Sequence, residues 1–216
     1  MKKVFLSMLV LSLCLASCKK ETKTETETDV TTTKTDSVAP AEEAPEKPMD
    51  SVAMQEAWKK YATPGDAHKM MAEEVGTWNC EMTYWMEPDG KPEKSTSVAE
   101  IKMVLGGRYQ EAIYKGTMMG QPFEGKSTMA YNNANGEITS TFIDNMGTGM
   151  MVGMGTYDEA TKTTNMRGEM VSPVTGKKTP YREAYTIVDA NTRTMEMFDT
   201  KDGKEYKSME ITMKRK

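Results

Sequence analysis

From Gly76 onward the chain predicts an all-β domain: an antiparallel up-and-down β-barrel of about ten strands, preceded by one or two short helices. Turn signals recur at short, even intervals: Pro88-Asp89-Gly90, Gly106-Gly107, Met119-Gly120-Gln121-Pro122, Asn133-Ala134-Asn135-Gly136, Asn145-Met146-Gly147, Asp158-Glu159-Ala160, Pro173-Val174-Thr175-Gly176, Asp189-Ala190-Asn191 and Asp202-Gly203. Nine turns separate ten strands. Between them apolar residues alternate at period 2, as in Trp78, Cys80, Met82, Tyr84 and Met86, or Ala99, Ile101, Met103 and Leu105, or Phe123, Gly125, Ser127, Met129 and Tyr131, or Met209, Ile211 and Met213. The run from Asp144 to Gly155 carries four glycines within nine residues, which suits a strand that curves hard. On it Met150, Val152 and Met154 share one face and are expected to point inward. Evenly linked strands form a meander, and closing it into a barrel removes the unpaired edges.

The segment before the barrel differs in kind. Residues 1–17 have the form of a secretory signal, with Lys2-Lys3, an apolar run from Val4 to Leu15 and then small residues. The run is too short for a permanent membrane span. Leu15-Ala16-Ser17-Cys18 resembles the bacterial lipobox, which implies cleavage before Cys18 and lipid on its sulfur. Residues 18–49 hold eight threonines between Thr22 and Thr35, many charges, and Pro40, Pro45 and Pro48, with almost nothing large and apolar. Such a segment cannot bury enough surface to offset its ordering entropy. It reads as a disordered tether of about 30 Å root-mean-square reach. The folded domain then covers 50–216, with 50–75 helical. Asp50 or Ser51 caps a first helix whose stripe is Met54, Ala57, Trp58 and Tyr61, and Thr63-Pro64-Gly65-Asp66 breaks it. A second helix runs to Val75 with His68, Met71, Ala72 and Val75 inward, and Gly76 ends it.

Composition excludes several chemistries. Cys14 leaves with the leader and Cys18 carries lipid, so Cys80 has no disulfide partner within the chain. Flanked by Trp78 and Met82, it reads as a buried inert thiol. His68 is the single histidine, which removes multi-histidine zinc sites and HExxH; on a helix stripe it reads as a packing residue. The formal charge of −4 includes Lys2 and Lys3, and the domain has no long basic block, so nucleic acid is a poor partner. Gly106-Gly107-Arg108 and Gly147-Thr148-Gly149 lack a phosphate-loop pattern and read as turns. Of the 22 methionines all but Met1 and Met8 lie beyond the leader, where Leu105 is the single leucine. Methionine there reads mainly as a leucine substitute in the core, with a Cu(I) site on pairs such as Met150 and Met154 as the minor alternative.

Several strings together resemble a bacterial family labelled a domain of unknown function. They are Val104-Leu105-Gly106-Gly107-Arg108-Tyr109, Gly120-Gln121-Pro122-Phe123-Glu124-Gly125 and Asp144-Asn145-Met146-Gly147-Thr148-Gly149, with Gly76-Thr77-Trp78 before them and Gly203-Lys204-Glu205-Tyr206 after. The resemblance spans about residues 66–216 and implies a lipocalin-like, or calycin, barrel with a helix near one mouth. It implies no established activity or cofactor. The family often has Gly-Tyr-Asp where this chain has Ala130-Tyr131-Asn132.

A charge pointing into such a barrel must be paired or wet. The candidate strand charges are Arg108, Glu111, Asp144, Arg182, Glu183 and Glu196, whose facing depends on register. Arg108 and Arg182 are the choices for orienting a ligand, Asp144 and Glu183 for their partners, and Tyr131 and Trp78 for pocket walls. The expectation is an extracytoplasmic lipoprotein, held by Cys18 at a bacterial membrane, whose barrel binds a small, mostly apolar molecule. The alternatives are an enzyme using a barrel carboxylate pair of the Asp144/Glu183 kind and a structural envelope protein with a filled barrel.

Overall fold

The structure, a computed structural model, describes residues 50–216; the leader, Cys18 and the tether lie outside the described residues. Asp50 caps α1 (Ser51–Ala62), its carboxylate accepting from the Val52 and Ala53 amides at 2.9 and 2.8 Å. The expected apolar stripe exists but buries nothing: Met54, Trp58 and Tyr61 stay exposed. The helix is held by its end instead. Asn133 Nδ2, from a strand turn, donates to the C-terminal carbonyls of Lys60, Tyr61 and Thr63 at 3.3, 3.0 and 2.8 Å.

In α2 (Asp66–Ala72) the Gly65 amide donates to His68 Nδ1 at 3.1 Å, fixing the first turn. The buried face is His68, Met71 and, one turn on, Glu74, whereas Ala72 and Val75 are exposed. Gly76, at φ +137°, redirects the chain into the first strand, a conformation closed to other residues without strain.

Ten strands follow: β1 (Gly76–Tyr84), β2 (Glu93–Val104), β3 (Tyr109–Met118), β4 (Gln121–Tyr131), β5 (Ile138–Asp144), β6 (Met151–Asp158), β7 (Thr163–Val171), β8 (Lys178–Asp189), β9 (Thr192–Lys201) and β10 (Lys204–Arg215). Each pairs antiparallel with its neighbour in sequence, and β1 pairs with β10 from Trp78↔Arg215 to Tyr84↔Met209, closing the barrel. All nine turn signals fall at the links between strands, three of them overlapping a strand end, at Gln121-Pro122, Asp158 and Asp189. Among the described residues the strands close on one another around one core, and Pro48–Lys216 forms one compact unit.

The register decides which faces look inward. On β1 Trp78, Cys80, Met82 and Tyr84 are all buried, while Met86 and Leu105, expected to continue the inward rows, lie in turns and are exposed. A cluster of Trp78, Cys80, Ala99, Ile101, Ala112 and Met213 forms the apolar core. The β6 expectation is overturned: Met150, Val152 and Met154 face solvent, and Met151, Gly153 and Gly155 take the inner positions. The reason is steric. A Cβ at Gly155 would sit 1.8 Å from the Asn165 carbonyl oxygen, so the tight coiling of β6 against β7 demands glycine on the inner face and sends the methionines out. The methionines accordingly divide: Met71, Met82, Met166, Met197 and Met213 are buried, while Met54, Met86, Met119, Met146, Met150 and Met154 are exposed.

Candidate functional site

The two ends of the barrel are built differently. At the end where β1 begins, α2 lies across the opening and inserts Glu74, whose side chain is 6% exposed. Its Oε1 accepts from Arg193 Nε at 2.9 Å and from the Tyr185 hydroxyl at 3.0 Å, and its Oε2 from Gln110 Nε2 at 3.2 Å. Gln110 also donates to the Met71 carbonyl at 2.8 Å, and Trp78 Nε1 to the Glu74 carbonyl at 2.8 Å. Arg193 completes its set on the carbonyls of Asp189 and Thr192. Arg215 lies 4.3 Å above the Trp78 ring and holds the carbonyls of Val75 and Glu73 at 2.8 and 2.6 Å. Every strong donor and acceptor here has a partner, which is the condition under which a buried ion pair is tolerated. This end is a closure.

The middle of the barrel is different. Tyr114, Phe142, Glu183, Tyr185, Met195 and Ile211 point inward by register, yet each keeps surface accessible to water. A filled core would leave none. Glu183 sits between Met166 on β7 and Met197 on β9. Among the described residues no ion pair or hydrogen bond offsets its burial, which pushes its carboxyl up to about 7. Tyr181, on the same strand, is pushed to about 12 by burial and then by Glu183; Tyr114 reaches about 12 through burial.

One step nearer the far mouth, Asp199 stands opposite Tyr181 and Tyr206. Its Oδ1 is buried without a partner, and burial raises its carboxyl pKa against a hydrogen bond with Ser208. Because Tyr181 pairs with Asp199 and Glu183 with Met197, the two acids are diagonal neighbours on one face, about 7–8 Å apart by strand geometry. Among the described residues the cations nearest them are engaged elsewhere: Arg193 by Glu74, and Lys201, two residues beyond Asp199 on the same face, by Glu87 at the mouth, while Arg182 and Lys207 point outward. At that mouth a shallow depression of about 560 Å³ lies between the β1–β2 and β3–β4 turns, lined by Tyr84, Glu93, Lys94 and Met119.

The sequence-predicted residues are spread over this frame. Glu183 is inside. Trp78 is inside too, but at the closed end, fully buried under α2. Tyr131 is half-buried near the same end, its ring edge-on to His68 at 5.8 Å. Asp144 ends β5 and caps its own turn, accepting from the Met146 and Gly147 amides at 2.9 and 3.2 Å. Arg108 is exposed in the β2–β3 turn, donating to the Leu105 carbonyl at 3.2 Å. Arg182 faces outward, forked onto Glu205 at 3.1 and 2.8 Å and stacked 3.7 Å from the Phe198 ring centre. The expected pairing of Arg108 or Arg182 with Asp144 or Glu183 is therefore not formed. Glu111 and Glu196 likewise pair with lysines on the outer surface. Asp199, Glu74, Arg193 and Gln110 went unforeseen; the period-2 alternation through Met195 and Met197 was the signal that would have turned Arg193 and Asp199 inward.

His68 and Cys80 are structural. Burial, then the charge of Arg108, holds His68 below its usual range, and burial pushes the Cys80 thiol up, away from thiolate chemistry.

Residues 63–215 match the family described as "Protein of unknown function (DUF1579)". No curated protein matches the chain. Among solved structures, Rv2717c from M. tuberculosis superposes with a TM-score of 0.55 at 13% identity, covering 71% of this chain and 99% of that one. The S-type phycobiliprotein lyase CPES from Guillardia theta aligns at a TM-score of 0.49 and 11% identity, over 69% of this chain and 92% of its own. The likeness to Rv2717c, at this identity, is one of fold.

Proposed function

The chain belongs to that family of unknown function, and, since the family description carries no activity, we propose from the barrel itself that this is an extracytoplasmic, lipid-anchored binding protein that takes a small, mostly apolar molecule into its interior. The observation that carries this reading is that inward aromatic and thioether side chains keep accessible surface around an unpartnered Glu183. Flexible, polarizable methionines suit an apolar guest of imperfect shape, and a few placed polar groups suit its orientation. Closure of one end by α2 leaves the opposite mouth as the entry.

Native mass spectrometry of residues 50–216 purified from the native host tests this. A co-purifying small molecule is expected; a clean apo mass from repeated preparations contradicts it and favours a structural role. The anchor rests on the lipobox resemblance at Cys18. Labelled fatty acid should enter the full chain and fail to enter a Cys18→Ser variant; equal labelling of both would remove the anchor.

A further inference from the structure

Resting on the reading of the interior as a binding site, we infer that the ligand is an apolar molecule carrying a basic nitrogen or a comparable hydrogen-bond donor, held by the carboxyl groups of Glu183 and Asp199, and not a fatty acid or another anionic amphiphile. The inner wall is selective in sign. Of the inward charges below the mouth, Arg193 and Glu74 neutralise each other at the closed end, 2.9 Å apart, leaving the two acids of β8 and β9. Asp199 Oδ1 has no partner, and Glu183 has none among the described residues. A buried acceptor without a donor, such as Asp199 Oδ1, is costly, and a ligand that supplies the donor removes that cost.

The acids are diagonal neighbours on one inner face, so a single cationic or donor group between β8 and β9 reaches both. The walls on either side are Met166, Met197 and Tyr181, which accept an apolar body. The cations that a carboxylate ligand would need are engaged or elsewhere: Lys201, beside Asp199 at the mouth, pairs with Glu87, Arg108 is in an exposed turn, Arg182 is forked onto Glu205, and Lys207 pairs with Glu196 and Glu210 outside. An anionic head would meet two acids and no cation free of a partner of its own, which is repulsive as well as dehydrating.

The test is isothermal titration of residues 50–216 with decylamine, decanoic acid and decanol as chain-matched probes. Decylamine should bind at least about tenfold more tightly than decanoic acid, the ratio expected from one charge-assisted hydrogen bond. That preference should collapse in Glu183→Gln and shrink in Asp199→Asn, with decanol binding equally to all three proteins. If decanol binds but the acid matches or exceeds the amine, this inference is overturned while the interior remains a binding site. An undiminished amine preference in Glu183→Gln also overturns it. Failure of all three probes to bind would remove the binding reading itself and this inference with it.

Discussion

The closed end and the middle of one barrel treat the same problem, an inward-facing carboxylate, in opposite ways. Glu74 accepts hydrogen bonds from three side chains, Arg193, Tyr185 and Gln110, and ties a helix to four strands. Glu183, on the strand that also supplies Tyr185, has no partner and is raised to about 7. Burial alone therefore does not identify a functional group here. The acid with both oxygens answered is architecture; the acid left unanswered beside accessible surface is the one that waits for something else.

Breaking the satisfied acid should have the largest effect. Glu74→Gln leaves the Arg193 guanidinium buried without its counter-charge, and unfolding in denaturant should show a loss of about 3–5 kcal/mol. A loss under about 1 kcal/mol would mean the closure is wetter than its geometry implies.

Glu183→Gln should act with the opposite sign. A carboxyl whose folded pKa is raised from 4.5 to about 7 is held more firmly in its protonated form by the folded state, so wild-type stability falls as pH rises through that window and levels off above it. The variant lacks this term and should be more stable than wild type by up to about 3 kcal/mol near pH 8, with the two converging near pH 4. Asp199, also raised, and His68, lowered, titrate in both proteins, so the difference between the two stability curves isolates Glu183.

Outer-surface changes sharpen the comparison by being small. Arg182→Ala removes a half-exposed ion pair and a ring contact and should cost no more than about 1 kcal/mol, with no change in ligand binding. Replacing Met150 and Met154 together with threonine should alter stability by less than about 0.5 kcal/mol, because both already face water.

Much of the fold was legible because turns and alternation are local. Gly90, Gly107, Gly120, Gly136 and Gly203 punctuated the chain where the links occur, and Trp78 through Tyr84 declared an inner face by themselves. The β6 face was misread for a non-local reason: hydrophobicity pointed Met150 and Met154 inward, but the clearance between β6 and β7 at Gly155, a property of two strands, reversed them. The candidate site was half legible. Glu183 stood out as a strand carboxylate, but its isolation could not be read, since that depends on Arg182 lying one residue away on the opposite face. Glu74 was hidden because its donors, Gln110, Tyr185 and Arg193, are 36 to 119 residues distant.

The most direct test is the titration of the Glu183 side-chain carboxyl, followed by carbon-13 NMR in residues 50–216 and assigned by its loss in Glu183→Gln. In the free protein the midpoint should lie near 7, and saturating decylamine should move it down by at least about one unit as the bound cation favours the ionised form. A midpoint in the ordinary carboxylate range, unmoved by the amine, would show that this acid is already answered and that the middle of the barrel is no different from its closed end.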